Sequence, residues 1–289
     1  MVVAATLRDI FHTLWHPSGF GTLARTVLRL SWRARTRCLP AGSRDLAGPL
    51  GLMAVVLAWT GLVVAGFVLV YWPHMPDGFH FGTSLSPERS SGPTAALYLS
   101  LVTVATLGFG DILPADPALR LLAPAQALVG FVLLTAAISW VLQVYPALGR
   151  RRAFARRLSA MHSHDSDEVI RIADAATVTR MLDSLADGVA QLESDFLQYA
   201  ESYYFSERDR SLSLAATLPY TLDLVAAGQQ SDAHAVRTAA AVLAETIESL
   251  AARLDSSYLH TGGGTAQTLE AFARDHGHED VATTPAGDG

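Results

Sequence analysis

The residues of this sequence best suited to a chemical role form the run Thr106-Leu107-Gly108-Phe109-Gly110-Asp111. Its two glycines stand at alternate positions, which excludes a regular helix or strand. Glycine tolerates the backbone angles that can turn successive carbonyl oxygens to one side. The surrounding stretch 90–110 contains no Asp, Glu or Arg, and non-helical backbone at membrane depth is tolerated only where it is buried in protein or lines a watery cavity. The run therefore predicts a re-entrant loop.

A short helix is predicted to position this loop. The sequence Ser90-Ser91-Gly92-Pro93 is a helix-start signal, because proline suits the first helical position. Residues 94–105 then make about three turns, whereas about 20 residues are needed to cross a bilayer. The helix is therefore expected to enter the membrane and end inside it, with the loop at its carboxyl end.

Two long stretches without Asp, Glu or Arg flank this helix and loop. One covers residues 46–76 and the other residues 121–149. About 20 apolar residues span the hydrocarbon core, so we predict transmembrane helices over about residues 48–72 and 119–147. Pro146 is expected to bend or end the second helix. A buried helix of a soluble protein is the alternative for each stretch, and finding two in one chain disfavours it.

The segment Ala96–Pro114, ALYLSLVTVATLGFGDILP, resembles the pore helix and selectivity filter of potassium channels, whose filter reads TVGYG or a close variant. With a span on each side, residues 45–150 resemble the two-transmembrane bacterial potassium channel family of the pore-loop ion channel superfamily. Leu107 and Phe109 replace the usual valine and tyrosine, which this superfamily tolerates. The residues that keep one register with the family motif are Ser100, Thr103, Thr106, Gly108, Gly110 and Asp111.

The resemblance implies that four copies of the loop form a potassium-selective filter. Potassium ions there would be coordinated by backbone carbonyls and by the Thr106 hydroxyl in place of water. One chain supplies one loop, so a homotetramer is implied, with no cofactor and no metal beyond potassium. Asp111 is expected to form a carboxylate ring at the outer mouth, and an ordinary loop carboxylate is the alternative. The expected ion-binding residues are Thr106, Leu107, Gly108, Phe109 and Gly110.

The resemblance also assigns gating roles to the second span. Gly130 lies 22 residues beyond Gly108, at the position where related channels carry a hinge glycine. Leu134, Ile138 and Leu142 follow at four-residue steps and are expected to form an apolar inner constriction. Contact with lipid or with another helix fits each of these three residues equally well.

Two features depart from better-known relatives. Some relatives place a glutamate behind the filter, where this chain has Val102, so a glutamate–aspartate pair with Asp111 is not expected. Tyr98 is able to donate a hydrogen bond to Asp111 instead. No voltage sensor is expected either, because the N-terminal arginines recur every four residues rather than every three and no four-span domain precedes the pore.

Charge divides the sequence into two halves. Residues 1–157 hold 14 arginines and 6 acidic residues, whereas residues 158–289 hold 7 arginines and 21 acidic residues. This asymmetry suggests a basic membrane-proximal part and an acidic solvated part. The arginines cluster before the first span and after the second, so both termini are expected in the cytoplasm and residues 73–118 outside or re-entrant. All 21 basic residues are arginine, which fits a GC-rich bacterial genome and predicts the bacterial inner membrane.

The N-terminal segment 1–45 is predicted to be cytoplasmic, with an amphipathic helix over residues 20–37 lying on the inner leaflet. A plain solvated basic segment is the alternative. Anionic lipid headgroups are the expected partners of six arginines near the cytoplasmic face, and no nucleic acid is expected. These arginines are Arg25, Arg29, Arg33, Arg150, Arg151 and Arg152.

Residues 151–258 are predicted to form a cytoplasmic helical domain that also helps to assemble the tetramer. Two of its helices are expected over about 210–227, interrupted at Pro219, and about 232–255. A third is indicated by apolar residues at alternating steps of four and three, which predict a coiled coil or a long bundle helix. These residues are Val178, Leu182, Leu185, Val189, Leu192, Phe196, Tyr199 and Tyr203.

Residues 259–289 are polar and rich in Gly, Thr and Asp, which predicts a disordered tail. Histidine pairs occur at residues 162–164 and 276–278. Each pair lies among carboxylates and is able in principle to bind a metal, but a solvated polar segment is the favoured interpretation of both.

Together these patterns predict an all-α membrane protein. Two transmembrane helices flank a re-entrant pore helix and filter, and a cytoplasmic helical bundle or coiled-coil tail follows. The resemblance implies a passive potassium channel rather than an enzyme. The alternatives are a weakly selective cation channel, since Leu107 and Phe109 could loosen the filter, and a membrane-anchored sensor or scaffold whose tail binds a partner. The sequence leaves the gating stimulus open between pH, ligand, lipid and tail.

Overall fold

The computed structural model describes residues 1–14, 21–38, 45–83 and 91–278. The chain divides into two compact units, of which one consists of Met1–Cys38 with Pro49–Gln143 and the other of Leu39–Gly48 with Val144–Gly289. Both are mainly helical. Two helices are long and apolar enough to cross a membrane, so the prediction of a helical chain with two candidate spans is confirmed.

The elements that begin in residues 1–143 are five helices, one 3₁₀ turn and two strands among the described residues. In chain order they are α1 (Val2–Leu14), α2 (Thr22–Cys38), α3 (Ala47–Tyr71), the 3₁₀ turn Trp72–His74, β1 (Phe79–Phe81), α4 (Pro93–Val104), β2 (Ile112–Pro114) and α5 (Pro117–His162).

The elements that follow α5 are shorter. They are α6 (Ser166–Ile172), α7 (Ala175–Gln198), the 3₁₀ turns Ala200–Tyr204 and Arg210–Leu212, α8 (Leu214–Thr217), α9 (Tyr220–Gln229), α10 (His234–Leu254), the π-helical turn Asp255–Leu259 and α11 (Thr265–Asp275).

The candidate spans are α3 and α5. Helix α3 has 25 residues, which at 1.5 Å per residue gives about 37 Å, enough to cross a bilayer with some tilt. Helix α5 has 46 residues and passes through Pro146 to His162. Of the two effects expected of Pro146, a bend or an end of the helix, the end is therefore wrong. A proline removes one backbone donor, and the backbone stays helical on both sides of it.

A buried carboxylate joins α1, α2 and α3. Asp9 is 8% exposed and accepts hydrogen bonds from the backbone N–H groups of Leu23 and Ala24 at 2.9 and 3.2 Å. These N–H groups belong to the first turn of α2, where they have no partner within the helix. The same carboxylate accepts a hydrogen bond from Trp59 Nε1 on α3 at 3.0 Å. Asp9 therefore caps α2 and fastens both N-terminal helices to α3.

The apolar face of α2 packs against α3. Leu28 is fully buried, and a Cβ added to Gly51 would lie 2.8 Å from Leu28 Cδ2. Gly51 thus allows a close approach of the two helices. The sequence predicted an amphipathic helix over residues 20–37 that lies on the inner leaflet. At Leu28 the apolar face of this helix contacts protein instead of lipid. Residue 20 lies outside the described part of the chain.

Two indole rings form a contact between α3 and α5. The ring centroids of Trp59 and Trp140 are 5.6 Å apart, with an angle of 37° between the ring planes. Both side chains are almost completely buried. Aromatic pairs at this separation contribute about 0.5–1.5 kcal/mol beyond the area that they bury. The pair therefore holds the two candidate spans together at the depth of Asp9.

A short antiparallel pairing joins the segments that precede and follow α4. Strands β1 and β2 pair with Phe79 opposite Pro114 and Phe81 opposite Ile112. Next to this pairing, Gly82 N donates a hydrogen bond to the Asp111 carbonyl at 2.7 Å. The end of the loop that follows α4 is therefore fixed to the segment that follows α3.

In the second unit, α7 packs mainly against α10. The heptad residues of α7 from Val178 to Phe196 are buried on this face. On the partner helix, Leu243, Ile247 and Leu250 are fully buried. The four–three repeat is thus used by a bundle helix within one chain, which is one of the two interpretations that the sequence allowed.

The expectation of disorder over 259–289 is wrong for α11. Leu269 and Phe272 are each 1% exposed, and the Phe272 ring packs 5.8 Å from that of Tyr203. A few apolar residues at helical spacing are enough to bury one face, although the polar average of the segment indicated a loose end. Residues 279–289 lie outside the described residues.

His276 is buried, not solvated as the sequence indicated. It is 7% exposed, and its Nδ1 and Nε2 lie 3.0 and 2.9 Å from the carbonyl oxygens of Phe272 and Tyr203. Tyr203 Oη in turn donates a hydrogen bond to Asp275 at 2.5 Å. Burial, and then the charge of Asp275, raises the pKa of Tyr203. These contacts fix α11 to the turn Ala200–Tyr204.

Three consecutive arginines after the second span have protein partners. Arg150 makes a two-pronged ion pair with Asp195, at 2.9 and 2.6 Å. Arg152 Nε donates to Glu207 at 2.6 Å. Arg151 is 5% exposed and donates hydrogen bonds at 2.6 and 2.8 Å to two backbone carbonyls, those of Ser202 and Phe205. The expectation that Arg151 contacts lipid headgroups is therefore wrong, because its guanidinium is enclosed by protein.

Candidate functional site

Helix α4 begins and ends close to the predicted residues, at Pro93 and Val104 rather than 94 and 105. Pro93 occupies the first helical position after Gly92, which has extended backbone angles. Twelve residues give a length of about 18 Å, which is too short to cross a membrane. The helix packs its Ala96, Leu99 and Ser100 side into the protein.

The carboxyl end of α4 forms a Schellman motif. Leu107 N donates to the Val102 carbonyl at 2.9 Å, and Thr106 N donates to the Thr103 carbonyl at 3.0 Å. This motif needs a left-handed residue, usually glycine. Here Thr106 takes that place with a φ of 57°. A β-branched residue in this region is strained by about 1–3 kcal/mol, so the segment that follows α4 starts on a strained residue.

Residues 106–111, named here the glycine loop, alternate in backbone handedness. The φ angles of Thr106, Gly108 and Gly110 are 57°, 55° and 78°, and Leu107 and Phe109 between them are not in the positive-φ region. Such alternation can place successive carbonyl oxygens on one side of the chain. A Cβ at Gly108 or Gly110 would meet no atom within 4 Å. Glycine is therefore required at both positions by the backbone angle, not by lack of space.

The glycine loop is uncovered in the single chain. Leu107 and Phe109 are 59% and 66% exposed, although both are large and apolar. Residues 106–110 are all exposed, including these two apolar side chains, and they lie in the chain between the two candidate spans. All five residues that the sequence assigned to ion binding lie in this loop.

Asp111 is the last residue of the glycine loop, and both its side chain and its backbone carbonyl accept hydrogen bonds. Tyr98 Oη donates a hydrogen bond to Asp111 Oδ2 at 2.6 Å, as the sequence suggested, and Ile112 N donates to Oδ1 at 3.1 Å. Val102, at the position of the glutamate found in some relatives, is buried. Tyr98 is therefore the side chain of α4 that holds Asp111.

We expect the Tyr98→Phe substitution to loosen the outer end of the glycine loop. The substitution removes only the hydroxyl that binds Asp111, so the backbone amides of residues 110–112 should exchange with deuterium faster, while those of α7 keep the wild-type rate. Hydrogen–deuterium exchange of the full chain in detergent measures this. Tyr145→Phe is the control, since the described residues provide no hydrogen-bond partner for the Tyr145 hydroxyl. Equal exchange at residues 110–112 in wild type and Tyr98→Phe would show that the bond does not restrain the loop.

Gly130 of α5 lies directly against the last turn of α4. A Cβ added there would lie 2.0 Å from the Val104 carbonyl oxygen and 3.0 Å from Val104 Cγ2. Real side chains do not approach backbone this closely, so glycine is required by packing. The hinge assigned to Gly130 stays a prediction, and this close approach is a separate reason for a glycine at the position.

The three residues predicted to form an inner constriction lie on an uncovered face of α5. Leu134, Ile138 and Leu142 are 62%, 53% and 68% exposed. They follow one another at four-residue steps and so share one side of the helix. None of the described residues covers this apolar face, and the constriction stays a prediction.

A fully buried polar group next to α4 was not foreseen from the sequence. Gln126 of α5, Ser100 of α4 and Tyr71 of α3 are all 0% exposed, and Gln126 is hydrogen-bonded to the other two. The signal available in the sequence was one of two glutamines, Gln126 and Gln143, inside a stretch of 29 residues without Asp, Glu or Arg. An amide in such a stretch needs partners, and its neighbours cannot be read from local periodicity.

Comparison with known proteins identifies the class of this region. Residues 58–145 match a family model described as "Ion channel". The match includes α4, the glycine loop and most of the two candidate spans. Residues 58–145 therefore carry an ion channel domain, and the resemblance to the pore-loop channels is confirmed for this stretch. A match of this kind suggests a non-enzyme for this stretch of the chain.

Three curated proteins illustrate the similarity. The uncharacterized membrane protein YdjJ of Bacillus subtilis (strain 168) is 26% identical over 177 residues, covering 59% of this chain and 49% of that protein. The two pore potassium channel c of Oryza sativa subsp. japonica is 43% identical over 63 residues, covering 19% and 14%. Protein LctB of Geobacillus stearothermophilus is 32% identical over 84 residues, covering 27% and 61%.

The similarity is partial in every case. The aligned part of the chain spans 49%, 14% and 61% of the length of these three relatives. No solved structure matches the chain. Within the described residues, no group of three or more His, Cys, Asp or Glu side chains is placed to hold a metal ion.

Proposed function

We propose that the chain forms a potassium-selective channel that conducts passively through a homotetrameric pore. The observation that carries the proposal is the alternation of positive φ at Thr106, Gly108 and Gly110, directly after a helix too short to cross the membrane. In this proposal α4 is a pore helix and the glycine loop is the selectivity filter. The similarity to the two pore potassium channel c of Oryza supports the choice of ion.

Selectivity for potassium follows from the chemistry of the loop. A potassium ion must lose its water to enter a narrow pore, and a ring of carbonyl oxygens replaces that water. Thr106, Leu107, Gly108 and Phe109 each offer a carbonyl, and Thr106 adds its hydroxyl. Asp111, held by Tyr98 at the end of the loop, adds a negative charge at the outer mouth and attracts cations.

Assembly of four chains is supported by what the single chain leaves uncovered. Leu107 and Phe109 of the loop are exposed, and copies arranged around an axis would cover such side chains while enclosing the carbonyls. Leu134, Ile138 and Leu142 would then face the axis or a neighbouring chain and narrow the inner pore. Gly130 would allow the inner helix to bend when the pore opens.

The basic N-terminal helix fits a position at the cytoplasmic face. Arg25, Arg29 and Arg33 are exposed on α2, each one residue after a buried position of that helix. Positive charge near the membrane surface is attracted to anionic headgroups. We propose such lipids as partners of these three arginines, in an inner membrane with both termini in the cytoplasm.

We expect purified protein in liposomes to pass potassium and rubidium, to be blocked by barium and to exclude sodium. The reason is that the loop replaces the water of a potassium-sized ion. Flux of each ion into vesicles, together with the mass of the assembly in detergent, measures both the conduction and the tetramer. Gly108→Ala should abolish the flux, because alanine is strained at a φ of 55°. Equal sodium and potassium flux through intact tetramers would contradict the selectivity and favour a weakly selective cation channel.

A further inference from the structure

The buried polar group next to α4 joins three helices. Tyr71 Oη of α3 donates a hydrogen bond to Gln126 Oε1 of α5 at 2.8 Å. Gln126 Nε2 donates to Ser100 Oγ and to the Ser100 carbonyl of α4, at 2.7 and 3.0 Å. Ser100 Oγ donates to the Val64 carbonyl of α3 at 3.1 Å. One amide thus bridges α3, α4 and α5.

Every hydrogen-bonding atom of this amide has a partner. The oxygen of Gln126 accepts one bond, and the two N–H groups of its nitrogen donate one bond each. A buried polar side chain is costly unless it is satisfied in this way, and an aliphatic residue would suit a membrane helix better. The contacts also fix the orientation of the amide, because the Ser100 carbonyl can only accept.

The bridge lies one helical turn from the Gly130 contact. On α5, Gln126 and Gly130 are four residues apart, and on α4 their partners Ser100 and Val104 are also four residues apart. Two successive turns of α4 are therefore held by two successive turns of α5. Thr106, the strained first residue of the glycine loop, follows immediately, so rotation or sliding of α4 would displace the carbonyls of the loop.

We propose that Gln126 is a positioning residue that fixes α4 and thereby sets the discrimination between potassium and sodium in the glycine loop. The inference rests on the proposed function. Gln126 touches no ion and acts through Ser100. Two side chains bind the Gln126 amide: Tyr71 of α3, which is titratable, and Ser100 of α4, which is not.

The decisive variant is Gln126→Glu, which replaces one NH₂ group by an oxygen. A neutral carboxylic acid keeps one donor for Ser100, whereas the carboxylate places an acceptor oxygen, in the position of Nε2, against the Ser100 carbonyl, which can also only accept. Burial favours the neutral form, so the variant should have nearly wild-type selectivity at acidic pH. When the proton is lost at alkaline pH, the potassium-to-sodium permeability ratio should fall by about tenfold. The ratio is measured from reversal potentials under bi-ionic conditions between pH 5 and 9.

Two further variants serve as references. Gln126→Leu removes the bridge and should lower the ratio at every pH. Thr60→Val also exchanges a polar for an apolar side chain in a candidate span, but the Thr60 hydroxyl bonds only to the Val56 carbonyl of its own helix, at 2.9 Å. Thr60→Val should therefore keep the wild-type ratio over the whole pH range.

A wild-type ratio for Gln126→Glu at all pH values, or a loss that does not reverse at acidic pH, would overturn the inference. If Gln126→Glu does not assemble, Ser100→Ala decides the matter, since it removes the hydroxyl partner and should lower the ratio; an unchanged ratio overturns the inference. The wild type is measured first. A wild type that does not discriminate between the two ions contradicts the proposed function, whereas a selective wild type with unaffected variants contradicts the role of Gln126 alone.

Discussion

We expect Gly130→Ala to abolish potassium flux and Gly149→Ala, on the same helix, to leave it intact. The reason is the contact between α5 and α4. The methyl group of alanine would lie 2.0 Å from the Val104 carbonyl oxygen, so α4 must move away. Overpacking of this kind costs at least about 1–3 kcal/mol, and the displacement falls on the turn that leads into the glycine loop.

The control variant Gly149→Ala separates the effect of the contact with α4 from the effect that alanine has on the stability of helix α5. Nothing lies within 4 Å of a Cβ at Gly149, and alanine in a helix is favoured over glycine by about 0.5–1 kcal/mol. Rubidium flux and the mass of the assembly are measured for both variants. If Gly130 served only as a hinge, Gly130→Ala tetramers would open less often but keep wild-type selectivity in the channels that open. Normal flux through Gly130→Ala would contradict both roles.

We expect Arg151→Met to destabilise the second unit by about 2–3 kcal/mol, because it removes the guanidinium donors of two backbone carbonyls, those of Ser202 and Phe205. Among the described residues, the Phe205 carbonyl loses its donor, and the Ser202 carbonyl keeps a 3.3 Å bond from Phe205 N. Arg152→Met, next in sequence, removes a partly exposed ion pair with Glu207 and should cost about 0–1 kcal/mol. Thermal unfolding of the full chain, followed by circular dichroism, compares the two variants.

The Arg151→Met variant distinguishes a structural role of Arg151 from a role in lipid binding. If Arg151 served lipid headgroups, Arg151→Met would lower binding to anionic vesicles and leave the unfolding temperature unchanged. The structure predicts the opposite result. Equal unfolding temperatures for wild type and Arg151→Met would contradict the importance of its two backbone contacts.

Much of the candidate site was predictable because its signals are local. The absence of charge identifies the two spans, Pro93 marks the start of α4, and the alternate glycines at 108 and 110 indicate an irregular loop. Each signal involves residues close together in the chain. The hydrogen bond between Tyr98 and Asp111 was predictable for the same reason, since only 13 residues separate the two.

What the sequence did not indicate depends on contacts between distant residues. Asp9 and Trp59 are 50 residues apart, so the attachment of α1 and α2 to α3 leaves no local pattern. The partners of Arg150 and Arg151 lie 45 to 54 residues further on, and a basic cluster alone cannot distinguish lipid from carbonyl partners. Helix α11 was missed because its few apolar residues are diluted by polar neighbours.

The indole pair between α3 and α5 provides the protein with a built-in optical signal. Trp59 and Trp140 are two of only five tryptophans in the chain, and both are shielded from water. Two chromophores at 5.6 Å couple their electronic transitions, which gives a near-ultraviolet circular dichroism band that depends on their separation and angle. Any relative movement of the two candidate spans at this level changes that band, so such a movement can be followed in the unlabelled protein.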